Sequence, residues 1–157
     1  MIDFRKVLDV NSLQAVILIV LGLASVMVSA SLYSGITTMQ DFYALNSNPL
    51  QIVSWLLSII SIIVMGWVGF AWVRHEGGSA MDGGKAGAVV GIVTGLINSV
   101  VAMVFLNPVL ANIYQAAGLG SGMTGAMAVF GVIGGIIGGA IMGFILGLIG
   151  GAFGKKK

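Results

Sequence analysis

From Gly131 to Gly154 the chain carries no charged side chain, and glycine falls on every fourth position: Gly131, Gly135, Gly139, Gly143, Gly147 and Gly151. A second, partial row runs beside it through Gly134, Gly138, Gly150 and Gly154. In water, each glycine disfavours a helix by about 1 kcal/mol against alanine, so a soluble helix with this sequence would melt. In a bilayer the backbone N–H and C=O groups must be satisfied within the segment itself, and helix is the conformation left to it. Small residues spaced by four then let a second backbone lie close. At roughly 100° per residue such a row drifts by about 40° per step and winds over a broad face. Ile133, Ile137, Ile141, Phe144 and Leu148 gather in a stripe about 80° wide on the other side. The glycine face is expected against protein and the bulky stripe against lipid.

The remaining sequence agrees with a membrane setting. Of 157 residues, 58% are hydrophobic and 8% charged, against about 25% charged in a soluble domain. Cysteine is absent, which excludes disulfides, thiolate catalysis and cysteine metal sites. No basic patch with interleaved aromatics is present, so nucleic acid is not an expected partner.

Four apolar stretches, at about 13–33, 50–73, 86–106 and 125–153, are each long enough to cross a bilayer, which takes about 20 residues. The fold class expected is all-α: an integral membrane four-helix bundle of two helical hairpins, forming one transmembrane domain over 1–157. The first stretch also carries Ser29-Ala30-Ser31, a small-residue pattern like a signal-peptide cleavage site. Acidic residues near its start and the need for four spans favour an uncleaved helix. Residues 1–12 suit an interfacial helical turn, with Phe4, Val7 and Leu8 at the headgroups and Asn11 or Ser12 capping the next helix. Residues 34–49 read as a polar loop, with Pro49 in the first turn of the following helix. Trp67 and Trp72 are expected at an interface. The stretch RHEGGSAMDGGK at 74–85 reads as a flexible glycine turn. Asn107-Pro108 ends the third span, residues in 109–118 suit a short interfacial helix, and GLGSG leads into the fourth span.

All seven Lys and Arg residues (Arg5, Lys6, Arg74, Lys85 and Lys155 to Lys157) fall on one side of this four-span arrangement. By the positive-inside rule both termini and the 74–85 segment are expected in the cytoplasm, in a multi-pass protein of the cell membrane. The terminal lysines also suit anionic lipid.

Packing is expected to be tightest between the third and fourth spans. The third repeats the pattern with Gly87, Gly91, Gly95 and Ser99. Such glycine-zipper pairs commonly cross near −40°.

Reactive chemistry has little to work with. His75 is the only histidine, and His75-Glu76 lacks the second histidine of a zinc-protease helix. His75, Glu76 and Asp82 could in principle hold a metal on the glycine loop, but a solvated turn is the simpler reading. GGKAG at 83–87 lacks the spacing and hydroxyl residue of a phosphate loop. The spans contain no Asp, Glu, Lys, Arg or His, which speaks against a proton-coupled pump or a rotary-ring subunit. Thr94 and Asn98 in the third span, with Ser54 and Ser58 in the second, are the polar candidates inside the bilayer. They suit interhelical hydrogen bonds or, less simply, the lining of a path. No catalytic, cofactor or metal site is expected.

In glycine rows and composition the chain resembles, in general style, the small four-span glycine-zipper membrane proteins of prokaryotes; these features define no family. The function expected is non-catalytic: self-association, or a subunit role in a larger membrane complex. The lipid bilayer and a second copy or another membrane protein are the expected partners. The alternative is a small oligomeric channel or facilitator for a neutral or small solute. A third, weaker reading is an enzyme or lipid-handling protein working through the 74–85 segment.

Overall fold

The computed structural model describes residues 3–36, 41, 44–45, 48–116, 118 and 121–154. Among them every regular element is a helix: α1 (Phe4–Val10), α2 (Ser12–Ser34), α3 (Pro49–Glu76), α4 (Ala80–Phe105), α5 (Asn107–Ala116) and α6 (Ser121–Gly154). Four are long and apolar enough to cross a membrane: α2, α3, α4 and the Gly125–Gly154 part of α6. Much of the 34–49 loop, part of the GLGSG lead and Lys155 to Lys157 lie outside the described residues.

The helices begin where local chemistry directs. Asp3 caps α1 by accepting from the backbone N–H of Arg5 at 2.9 Å. The Asn48 side chain accepts from Leu50 N–H at 3.0 Å, and Pro49 takes the first turn of α3, where its missing N–H removes no helical bond. The α3–α4 connection is tighter than the sequence suggested. Only Gly77 to Ser79 leave the helix, with φ at +75° for Gly77 and +105° for Gly78, a region that glycine enters without strain. Ser79 and Asp82 then form a capping box. The Ser79 backbone N–H donates to Asp82 Oδ2 at 3.0 Å, and the Asp82 N–H donates to Ser79 Oγ at 3.4 Å. Residues 80–85 are therefore the first turns of α4 rather than flexible loop. Gly83 and Gly84 are buried.

α3 and α4 form the central pair, with α2 against one side of it and α6 against the other. The apolar core joins Ala15 and Leu18 of α2 to Val64, Val68 and Trp72 of α3 and to Ala86 and Val90 of α4. Two sequence expectations change here. Val7, placed at the headgroups by the sequence, is 0% exposed and belongs to this core. α1 folds back onto α3 and α4, and a fully apolar contact outweighs an interfacial one for a branched hydrocarbon side chain. Trp72 is likewise in the core, 6% exposed, whereas Trp67 is 43% exposed.

Lys6 forms an ion pair with Glu76 at the end of α3, and Gly151 of α6 lies against Ala80 and Val73. The start of α1, the 77–79 turn and the end of α6 thus share one end of the bundle. The described basic residues Arg5, Lys6, Arg74 and Lys85 belong to that end.

Candidate functional site

The most extensive contact between two helices is that of α4 with α6, and it is made backbone to backbone. A Cβ placed on Gly87 would collide with the carbonyl of Gly143, one on Gly91 with that of Gly139, and one on Gly95 with that of Gly135. The clashes are reciprocal: Cβ atoms on Gly139 and Gly143 would strike the carbonyls of Gly91 and Gly87. Nearer the 77–79 turn, a Cβ on Gly147 would stand 2.5 Å from Gly83 O. Each step of four up one helix matches a step of four down the other, the register of an antiparallel pair. Over the twelve residue steps from Gly83 to Gly95 it covers about 18 Å of helix. The second Hα of each glycine points along the missing Cβ direction, so these contacts aim Cα–H groups at carbonyl oxygens, a weak bond that adds to dispersion.

α3 joins the same contact. A Cβ on Gly69 would collide with Gly147 O, and one on Gly150 with Gly66 O; one on Gly154 would be 2.8 Å from Phe70 O. Gly83 sits where three backbones meet: its Cβ would be 2.8 Å from Gly147 O, 2.9 Å from Gly151 Cα and 3.1 Å from Gly69 O. Gly66 and Gly69 were not among the residues singled out from sequence. Two glycines in an otherwise bulky helix are a faint signal, although their three-step spacing places them on one face. Gly83 and Gly84 were hidden because their polar surroundings read as loop. The pattern Ser79-x-x-Asp82 was the overlooked capping sign.

The remaining residues named from the sequence fall as follows. Ser99 Oγ stands over Gly135, where a Cβ would collide with it, and Gly151 lies 3.2 Å, as an added Cβ, from Gly83 Cα. Gly131 sits apart: a Cβ there meets nothing within 4 Å. Beyond Gly135 the helices part, and a cavity of about 170 Å³ opens among Ser99, Met103, Leu106 and Gly131. Bulky Met103 and Leu106 take the place that glycine holds earlier in α4, and this separates the backbones. Gly134 and Gly138 also face open space. On the opposite stripe Ile133, Ile137 and Ile141 are exposed, but Phe144 and Leu148 are not. Both lie against Gly84, whose Cβ would be 3.1 Å from Phe144 Cε2 and 3.2 Å from Leu148 Cβ. The extra turns of α4 supply this surface.

The polar candidates divide. Ser58 Oγ donates to Ser54 O at 3.0 Å, a bond within its own helix, and Ser58 is exposed. Thr94 is buried and donates to Val90 O at 2.9 Å. Asn98 reaches across to α2, where its Nδ2 donates to Leu18 O at 3.4 Å. Its amide lies flat on Gly22, where any Cβ would collide with it. Thr94 and Asn98, joined by Ser61, line a second cavity of about 210 Å³ set among α2, α3, α4 and α6. Ser54 and Ser58 do not line it.

The acidic side chains of the 74–85 segment take separate partners. Glu76 pairs with Lys6, while Asp82 engages Ser79 and Lys85, the latter at 3.2 Å. Among the described residues no group of three or more His, Cys, Asp or Glu is placed to hold a metal. No protein-family model, curated protein or solved structure matches the chain.

Proposed function

We propose that the protein works by association within the membrane, as a non-catalytic, self-associating protein or a subunit of a larger membrane complex. The observation that carries this reading is a set of uncovered glycines in the first half of α6. Gly131, Gly134 and Gly138 meet nothing within 4 Å, whereas the later glycines of the same helix press against α3 and α4. In this reading the internal contact is a glycine zipper, and the open row is a second surface of the same kind. Lipid chains pack against such a row less closely than a helix backbone does, so dispersion favours a protein partner there. The basic end of the bundle faces the cytoplasm, with both termini, in line with the positive-inside rule. Crosslinking in native membranes and mass measurement in mild detergent test the reading. Gly134→Leu with Gly138→Leu should abolish the associated species while leaving the protomer folded. A wild-type chain that is strictly monomeric, and contacts no other protein in its membrane, overturns the proposal.

A second reading, an oligomeric channel or facilitator for a small neutral solute, draws on the cavity beside Thr94 and Asn98. Flux into liposomes that disappears in Asn98→Leu would favour it; wild-type protein that leaves neutral-solute flux at the lipid baseline would remove it.

A further inference from the structure

The cavity among α2, α3, α4 and α6 is walled largely by hydrocarbon, from Leu18, Met65 and Leu146, with Ser61, Thr94 and Asn98 set into it. Both hydroxyl protons are already used. Ser61 Oγ donates to Leu57 O at 2.8 Å, and Thr94 Oγ1 donates to Val90 O at 2.9 Å. What remains on the hydroxyls is lone pairs. Asn98 adds a carbonyl oxygen, Oδ1, that is buried and, among the described residues, has no donor. A buried acceptor left unmet is unfavourable, and more so away from water. Asn98 is also loosely held. Its one interhelical bond, at 3.4 Å, is beyond the usual hydrogen-bond range, and rotation about the bond to an amide plane meets a broad, shallow profile. Gly22 closes Oδ1 off in the present packing, so a small turn of the amide is needed to present it to the cavity.

We propose that this cavity is a binding site for a small neutral molecule that carries a hydroxyl donor on an apolar body, and that the Asn98 carbonyl turns to accept a hydrogen bond from that hydroxyl. The volume suits such an occupant: about 210 Å³ exceeds the roughly 150 Å³ of an apolar protein cavity that takes up benzene. Ile62 and Met142 stand on the wall at 46% and 48% exposure, so entry runs from the hydrocarbon of the membrane. Among the described residues no ionisable group lines the cavity, and charged ligands are accordingly excluded. The site lies within one chain, so it is independent of association and would be present in a monomer.

The test uses the full chain in lipid nanodiscs, with asparagine side chains labelled for NMR, titrated with benzyl alcohol and, at matched membrane concentration, with toluene. Benzyl alcohol should move the Asn98 amide signal saturably and bind about tenfold tighter than toluene. The comparison within the wild-type chain does not depend on any variant folding. Asn98→Leu should remove the preference for the alcohol. Ser61→Leu, which fills the cavity from α3 and leaves Asn98 in place, should remove saturable binding of both probes. An unsaturable response, equal affinity for the two probes, or binding that survives Ser61→Leu overturns the proposal.

Discussion

Gly143→Ala is the sharpest single test of the α4–α6 contact. The added methyl would collide with Gly87 O and stand 2.8 Å from Gly87 C and 3.3 Å from Gly91 Cα. All three are backbone atoms, so no side chain can turn aside. Restoring ordinary carbon contact distances requires the helices to part by about 1 Å, which forfeits a quarter to a half of the dispersion well at each neighbouring contact. The contacts at Gly139 and Gly147 share the same register and open with it. Overpacking of this kind destabilises by about 1–3 kcal/mol. Gly138→Ala places the same methyl in open space, where the gain in helix preference is worth up to about 1 kcal/mol. The two variants should therefore differ by about 2 kcal/mol or more. Denaturant titration in mixed micelles, followed through buried Trp72, measures the difference. Gly87→Ala combined with Gly143→Ala should lose less than the sum of the single changes, because the second methyl enters a gap already opened. Equal tolerance of alanine at Gly143 and Gly138, or full additivity in the double variant, would mean that the two backbones do not touch there.

Three further outcomes follow from other parts of the fold. Gly139→Leu should lower the midpoint of thermal unfolding far more than Ile137→Leu, because Ile137 is exposed and Gly139 faces Gly91 O. Ser79→Ala removes the hydroxyl of the capping box and should lower stability by about 1 kcal/mol, with increased amide exchange confined to the start of α4. Because the chain has no cysteine, His75→Cys and Asn48→Cys can be labelled singly. An impermeant maleimide added outside intact cells should reach Cys at 48 and not at 75.

The long helices were legible because periodicity and uninterrupted hydrophobicity act over many turns. That Asn98 needs a polar group on a neighbouring helix could be read for a related reason: an amide among hydrocarbon side chains is unfavourable without one, although only its Nδ2 reaches one here. The rest depended on what the chain does over short distances. Seven residues of α1 hold too few turns to reveal which face Val7 occupies, so its burial emerges only with α3 and α4 in place. In the 79–85 stretch, glycine and charge pointed to a loop. Yet Gly83 is part of a helix because a capping box starts it and two other backbones need to pass close by. Phe144 shared its angular sector with the exposed isoleucines. It is covered because α4 begins two turns earlier than hydrophobicity alone implied. Gly131 continues the row by spelling, but contact ends where Met103 and Leu106 begin to separate the helices. A glycine row thus marks where an approach can occur, and the partner's side chains decide where it stops.

The bundle is held by backbones of α4, α6 and α3 that touch at positions lacking side chains. Magic-angle-spinning NMR of the chain in lipid bilayers, with glycine carbons labelled, measures this directly. Cross-peaks should link Gly83 to Gly147, Gly87 to Gly143, Gly91 to Gly139 and Gly95 to Gly135, with Gly66 to Gly150 from α3 and no comparable signal from Gly131. Spectra with correlations only inside each helix, or with the row of Gly139, Gly143 and Gly147 coupled to lipid chains instead, would contradict such contact.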